Sequence, residues 1–138
     1  MVKNYIFHLD TRGFSDIKDI SDRVFGFIRE SGIENGNVLV FCPGSTGGIT
    51  TIEYESGVVN DLKDYFERVA PEGIEYQHNL KWGDGNGFSH VRSAALKPSF
   101  TFPIVEGEAF LGTWQQIVFV DFDNKSRKRK ILVQIMGE

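Results

Sequence analysis

Only three histidines occur in the chain, and two of them, His78 and His90, flank a run of turn-forming residues, Trp82-Gly83-Asp84-Gly85-Asn86-Gly87. Glycine, aspartate and asparagine in such a run reverse the chain, which can bring the two rings to one place. Asn86 and His90 stand four residues apart, so a helix starting there carries both on one face. A carboxylate from Glu53 or Asp84 would complete a polar cluster. Two imidazoles with one carboxylate can hold zinc or iron, or move a proton. The competing reading is a pair of partly buried imidazoles with no chemistry, and spacing alone does not separate the two. His8 falls in an apolar N-terminal run and reads as an ordinary surface or half-buried side chain.

A second chemical candidate is the stretch Cys42-Pro43-Gly44-Ser45-Thr46-Gly47-Gly48. A glycine-rich loop can wrap a phosphate with backbone N–H groups. No Gly-Lys-Ser/Thr follows, so it is not a Walker loop, and it leads into a strand where the usual phosphate loops lead into a helix. A plain tight turn is the alternative. If the loop does hold an anion, Ser45, Thr46, Gly47 and Gly48 would line it, with Arg92 as a second cation.

These groups have to be positioned by regular elements. Asn4 to Leu9 reads as a strand. Ser15 or Asp16 is a candidate cap for a helix whose buried face is Ile17, Ile20, Val24, Phe27 and Ile28. Gly32 and Asn35-Gly36 end it. Val38 to Phe41 and Ile49 to Tyr54 read as strands on either side of the glycine-rich turn. Ser56 is a candidate cap for a second helix, with Val58, Val59, Leu62, Tyr65, Phe66 and Val69 at helical spacing. A short helix from Asn86 to about Leu96 follows. The last third is β-rich, with Phe100, Phe102 and Ile104 alternating on one strand and two more strands at Ile117 to Phe122 and Ile131 to Met136. Lys125, Arg127, Lys128, Arg129 and Lys130 fall between those two, where the expectation is a solvated hairpin tip, with a polyanion patch as the alternative. Strands at both ends with few helices between them favour an antiparallel or mixed sheet, hence an α+β class.

The 138 residues suit one domain, 1–138, and no repeat or linker divides them. The formal charge of −4, with signs mixed along the chain, argues against a general nucleic-acid partner. One cysteine excludes an internal disulfide framework, and no apolar run is long enough to cross a bilayer. A cytoplasmic location, away from membranes, is the expectation.

Taken in order, Gly44 to Glu53, Asp61-Leu62, Tyr76-Gln77-His78, Asp84 to His90, Phe102-Pro103-Ile104, Leu111-Gly112-Thr113-Trp114-Gln115-Gln116-Ile117 and the closing Asp121-Phe122-Asp123 resemble the YjbQ-like family over nearly the whole chain. The resemblance implies an α+β fold with a largely antiparallel curled sheet, two main helices and one short one, assembled as a homotrimer. It further implies a small metal-binding protein, some relatives having a secondary thiamine-phosphate synthase activity that joins a pyrimidine diphosphate to a thiazole phosphate. His78 and His90 fall on the family's histidine positions; Glu53, Asp84 and Asn86 fall on its polar site positions. The family's loop usually opens with a histidine where this chain has Gly44. A three-histidine site is thereby broken, and Cys42, two residues earlier, is a candidate replacement ligand if the strand runs on through Pro43. Its other reading is a small buried hydrophobe.

Two functions follow as expectations. One is a metal-dependent enzyme, zinc being the expected ion, acting on a phosphorylated small molecule: His78 and His90 hold the metal, and Glu53 or Asp84 orients ligands or accepts a proton. The other is a trimeric binding or structural protein that has lost the metal, with Trp114, Gln115 and Gln116 packed near a subunit contact.

Overall fold

The computed structural model describes residues Met1–Glu138. Its elements run β1 (Val2–Thr11), β2 (Asp16–Asp19), α1 (Ser21–Ser31), β3 (Gly36–Phe41), β4 (Gly47–Ile52), α2 (Ser56–Val69), α3 (Gln77–Trp82), α4 (Gly87–Leu96), β5 (Ser99–Val105), β6 (Glu108–Ala109), β7 (Gln116–Asp121) and β8 (Arg127–Gly137). A five-stranded sheet has the order β1-β8-β3-β5-β6 and a three-stranded sheet the order β2-β7-β4. Every pairing is antiparallel. The architecture is the expected α+β fold with a curled antiparallel sheet, and it has four helices where three were expected.

The two sheets stack because their strands alternate apolar residues toward a shared core. Val38, Val40, Ile131, Val133, Ile135, Phe102 and Ile104 meet Ile49, Ile117 and Phe119 there, and Val24 and Ile28 of α1 close it. On the other face of β7, Val118 and Val120 pack against Ile17, Phe122 and Phe66 of α2. β7 is therefore buried on both faces, which explains its unbroken run Ile117-Val118-Phe119-Val120. Each such side chain contributes roughly 1.5–3 kcal/mol on burial.

Local expectations give way in four places. α1 starts at Ser21, because Asp16–Asp19 pairs with β7 and takes Ile17 into a strand. Glu55, not Ser56, caps α2, its carboxylate accepting from the Gly57 and Val58 N–H groups. Gln77–Trp82 is a helix, α3, that no apolar periodicity announces: it buries no residue. Arg127–Lys130 belongs to β8, paired with β1 as Thr11↔Arg127 through His8↔Lys130, and is not a hairpin tip.

Candidate functional site

α3 carries His78, and Gly83, in the left-handed region at φ +66°, ends the helix. Gly85, at φ +64°, completes the reversal into α4. Gly87 is held where its N–H donates to Asn79 Oδ1 at 2.8 Å, against Tyr76, and a Cβ there would stand 2.5 Å from the Tyr76 side chain. One turn into α4, His90 lies against His78, ring centroids 4.3 Å apart and tilted by 37°. His78 Nδ1 is 3.3 Å from Asp84 Oδ1. That pair does not have hydrogen-bond geometry, and Nδ1 is sealed from solvent with no partner. Burial, then the neighbouring His78, pushes the His90 pKa below its ordinary value; Asp84 and Asp123 pull the other way and do not outweigh them. His90 is therefore neutral at pH 7, the form that binds a metal or accepts a proton.

Behind His90 is a buried polar network. Asn86 begins α4 without capping it by a side-chain bond; its Nδ2 donates to Asp123 Oδ1 at 3.4 Å, and its Oδ1 accepts from Ser89 Oγ at 2.6 Å and from the Asn124 N–H at 3.2 Å. Asp123 Oδ2 accepts from Thr46 Oγ1 at 3.0 Å and Arg127 Nε at 3.1 Å. Burial alone would raise the Asp123 carboxyl; the Thr46 hydroxyl and the guanidiniums of Arg127 and Arg129 outweigh it and hold it below the usual range. Arg129 grips Asp121 with Nε at 2.6 Å and Nη2 at 2.8 Å, and Nη2 also donates to Thr46 Oγ1 at 2.7 Å. The glycine-rich loop, the α4 entry and the β7–β8 turn are thus tied together at one end of the three-stranded sheet.

The structure brings together His78, His90, Asp84, Asn86 and Thr46, and separates the remaining candidates. Glu53 follows the far end of β4: Gly47 pairs with Asp121 while Ile52 pairs with Gln116, which puts Glu53 roughly 20 Å along the strand from Thr46. Gly47 and Gly48 are glycines for packing, since a Cβ would meet the Phe119 ring at 2.6 Å and Leu96 at 2.7 Å; both are buried, leaving no room for a ligand. Arg92 is 3% exposed and fully used, donating to Ala70 O, Ser15 Oγ and Glu67 Oε2, so it is not a free second cation. Ser45 is exposed on the loop.

β3 stops at Phe41, so the strand does not carry Cys42 toward the histidines. Cys42 sits in the main core, 2% exposed, and burial pushes its thiol up to about 11. It is a core residue that would be a poor thiolate donor. Gly44 has φ +129°, where L side chains are strained, and a Cβ built there lies 3.5 Å from Arg129 Nη1. A histidine at 44 would stand in a disfavoured backbone beside a cation. Arg129, Asp121 and Asp123 are absent from the sequence-derived site; the period-two pairs Asp121/Asp123 and Arg127/Arg129 were the signal available.

No three His, Cys, Asp or Glu side chains form a group that could hold a metal ion. The pair His78 and Asp84 nevertheless suits one, because two ligands of a tetrahedral zinc stand about 3.4 Å apart. His90 lies beside His78, but it does not join that pair in a three-residue group.

Two antiparallel sheets and four helices make this a small α+β protein, with the histidine pair at the α3–α4 junction. The chain belongs to the family described as UPF0047 protein YjbQ-like, which matches residues 5–138. It is 37% identical over 123 residues to a UPF0047 protein of Methanothermobacter thermautotrophicus, covering 89% of this chain and 84% of that one. The UPF0047 protein YugU of Bacillus subtilis is 35% identical over 120 residues, covering 86% and 88%. Among solved structures, a YbjQ-like protein of unknown function from Sulfolobus solfataricus P2 superposes with a TM-score of 0.90 at 31% identity, covering both chains completely. No helix is long and apolar enough to cross a membrane.

Proposed function

We propose that the chain binds a divalent metal ion, zinc being the expected one, at His78 and His90 with Asp84, and acts on a phosphorylated small molecule. The observation that carries this reading is His78 Nδ1, sealed from solvent, bonded to nothing and 3.3 Å from a carboxylate. A buried polar atom without a partner costs about 1–3 kcal/mol, a cost that a bound ion would remove. The ion would supply Lewis acidity toward a phosphoryl or diphosphate oxygen. His90, neutral and packed on His78, would complete the protein's donors or take a proton from the attacking group. Asn86 and Asp123 would set its position through α4. The joining of a pyrimidine diphosphate to a thiazole phosphate, a thiamine-phosphate synthase reaction, is one reaction of this class.

A homotrimer is part of the proposal. Phe110 and Trp114 are about 70% exposed on a loop tied down by the neighbouring glutamines, Gln115 accepting from the Gly112 N–H and donating to Thr51, and Gln116 donating to Thr113 O and accepting from the Tyr54 N–H. Such fixed, exposed aromatics are typical of contacts between subunits. The second reading is a metal-free trimeric binding protein, and it rests on His78, His90 and Asp84 not closing into one three-residue metal-holding group.

Elemental analysis of untagged native protein and of His90→Ala separates the two readings. Metal present in the native chain and lost in the variant supports the first; metal absent from both, or equally retained, overturns it.

A further inference from the structure

The glycine-rich loop has donors to spare beside a fixed guanidinium. None of the backbone N–H groups of Gly44, Ser45 and Thr46 makes a hydrogen bond inside the chain. Gly44 and Ser45 are exposed. Arg129 uses Nε and Nη2 on Asp121 and Thr46, but its Nη1 bonds to nothing. That nitrogen is not among the sealed atoms, so it reaches solvent although the side chain is only 10% exposed. It points toward the loop, 3.5 Å from where a Gly44 Cβ would stand, a space that glycine keeps open.

We infer that Arg129 Nη1 and the exposed Gly44 and Ser45 amides form an anion subsite for a phosphoryl group, separate from the imidazole pair. Asp121 and Thr46 hold the guanidinium in one orientation, so little side-chain entropy is lost when the anion arrives. Successive backbone N–H groups attract anions, and a guanidinium adds a charge-assisted bond. Two carboxylates face the guanidinium, Asp121 in a double hydrogen bond and Asp123 at 3.9 Å from Nη2, and Arg127 offsets the second; the subsite therefore rests on the directed Nη1 and amide donors rather than on net charge. The Ser45 hydroxyl, which has no partner in the chain, is a further donor. Thr46 and Asp123 link this subsite through hydrogen bonds to Asn86 at the start of α4, the helix that carries His90. Only the choice of a phosphoryl group over other anions rests on the function proposed above.

The test is titration of isotopically labelled full-length protein with inorganic phosphate, followed by amide and arginine Nε–H resonances, and repeated with methyl phosphate. The expected result is saturable shifts at Gly44, Ser45 and Arg129 for both ligands. Ser45→Glu places a carboxylate on the exposed loop without touching the Arg129–Asp121 pair, and should weaken phosphate binding at least tenfold. Arg129→Lys should weaken it similarly; because that variant could unfold, Ser45→Glu is the deciding one. His90→Ala should lose metal yet keep phosphate, so the two proposals fail separately. No shift at the loop, or an unchanged phosphate affinity in Ser45→Glu, overturns the subsite.

Discussion

Exchanging Arg129 for methionine strips the main partner from a carboxylate that is fully buried. Asp121 receives two guanidinium bonds, and keeps only the Thr11 hydroxyl and the Asp123 N–H once they are gone. Removing one side of a buried pair costs about 3–5 kcal/mol. The two remaining donors, each worth roughly 1.5–3 kcal/mol to a charged acceptor, place the expected loss near the lower end, about 3 kcal/mol. For a chain of this length the entropy of unfolding is about 0.3 kcal/mol per kelvin, so Tm should drop by roughly 10 °C. Removing the charge as well, in Asp121→Leu with Arg129→Met, should recover about half of the loss or more, because no unpaired ion then stays buried. Thermal and urea unfolding followed by circular dichroism of Arg129→Met, Asp121→Leu and the double variant give the coupling energy. Arg129→Met within about 1 kcal/mol of the native chain, or a double variant whose loss is the sum of the two singles, would refute the account of the pair as mutually dependent.

Three further outcomes are expected. His90 is held neutral, its folded pKa lying below 6.5 through burial and His78; its contribution to stability is complete above about pH 6.5 and is lost as pH falls through the folded value. His90→Gln should therefore lose less stability than the native chain between pH 7 and 5, and equal losses would remove His90 as the cause. Cys42, buried and with a thiol pushed up to about 11, should react with a thiol reagent at pH 8 only after denaturation; prompt reaction in the native state would mean the core opens there. Gly47→Ala would press a Cβ to 2.6 Å from the buried Phe119 ring and should cost about 1–3 kcal/mol in urea unfolding, with no loss meaning that the ring has room to move.

Along the chain, the sequence by itself determined the parts that rest on periodicity. The alternation in Phe100, Phe102 and Ile104 and the apolar runs of β3, β7 and β8 report burial directly, because side chains on a strand point to alternate faces. The pairing of His78 with His90 was legible for a similar reason: Gly83 and Gly85 supply the left-handed backbone that the reversal between α3 and α4 requires. α3 itself was not legible, since it buries no residue and so leaves no pattern.

Only the tertiary structure decided which charges stand beside the glycine-rich loop and the histidine pair. Arg92 and Arg129 look alike in sequence, yet one spends its donors on Ala70, Ser15 and Glu67 while the other keeps Nη1 free beside Gly44. Glu53 and Asp84 are both acidic residues near turns; the register of β4 against β7 carries the first to the opposite end of the sheet. Cys42 illustrates the same point, because the end of β3 at Phe41 leaves it in the core rather than beside the histidines. A side chain's chemistry is written in its residue type, but its charge state and its partners come from neighbours distant in sequence, and those are set by which strands pair and in what register.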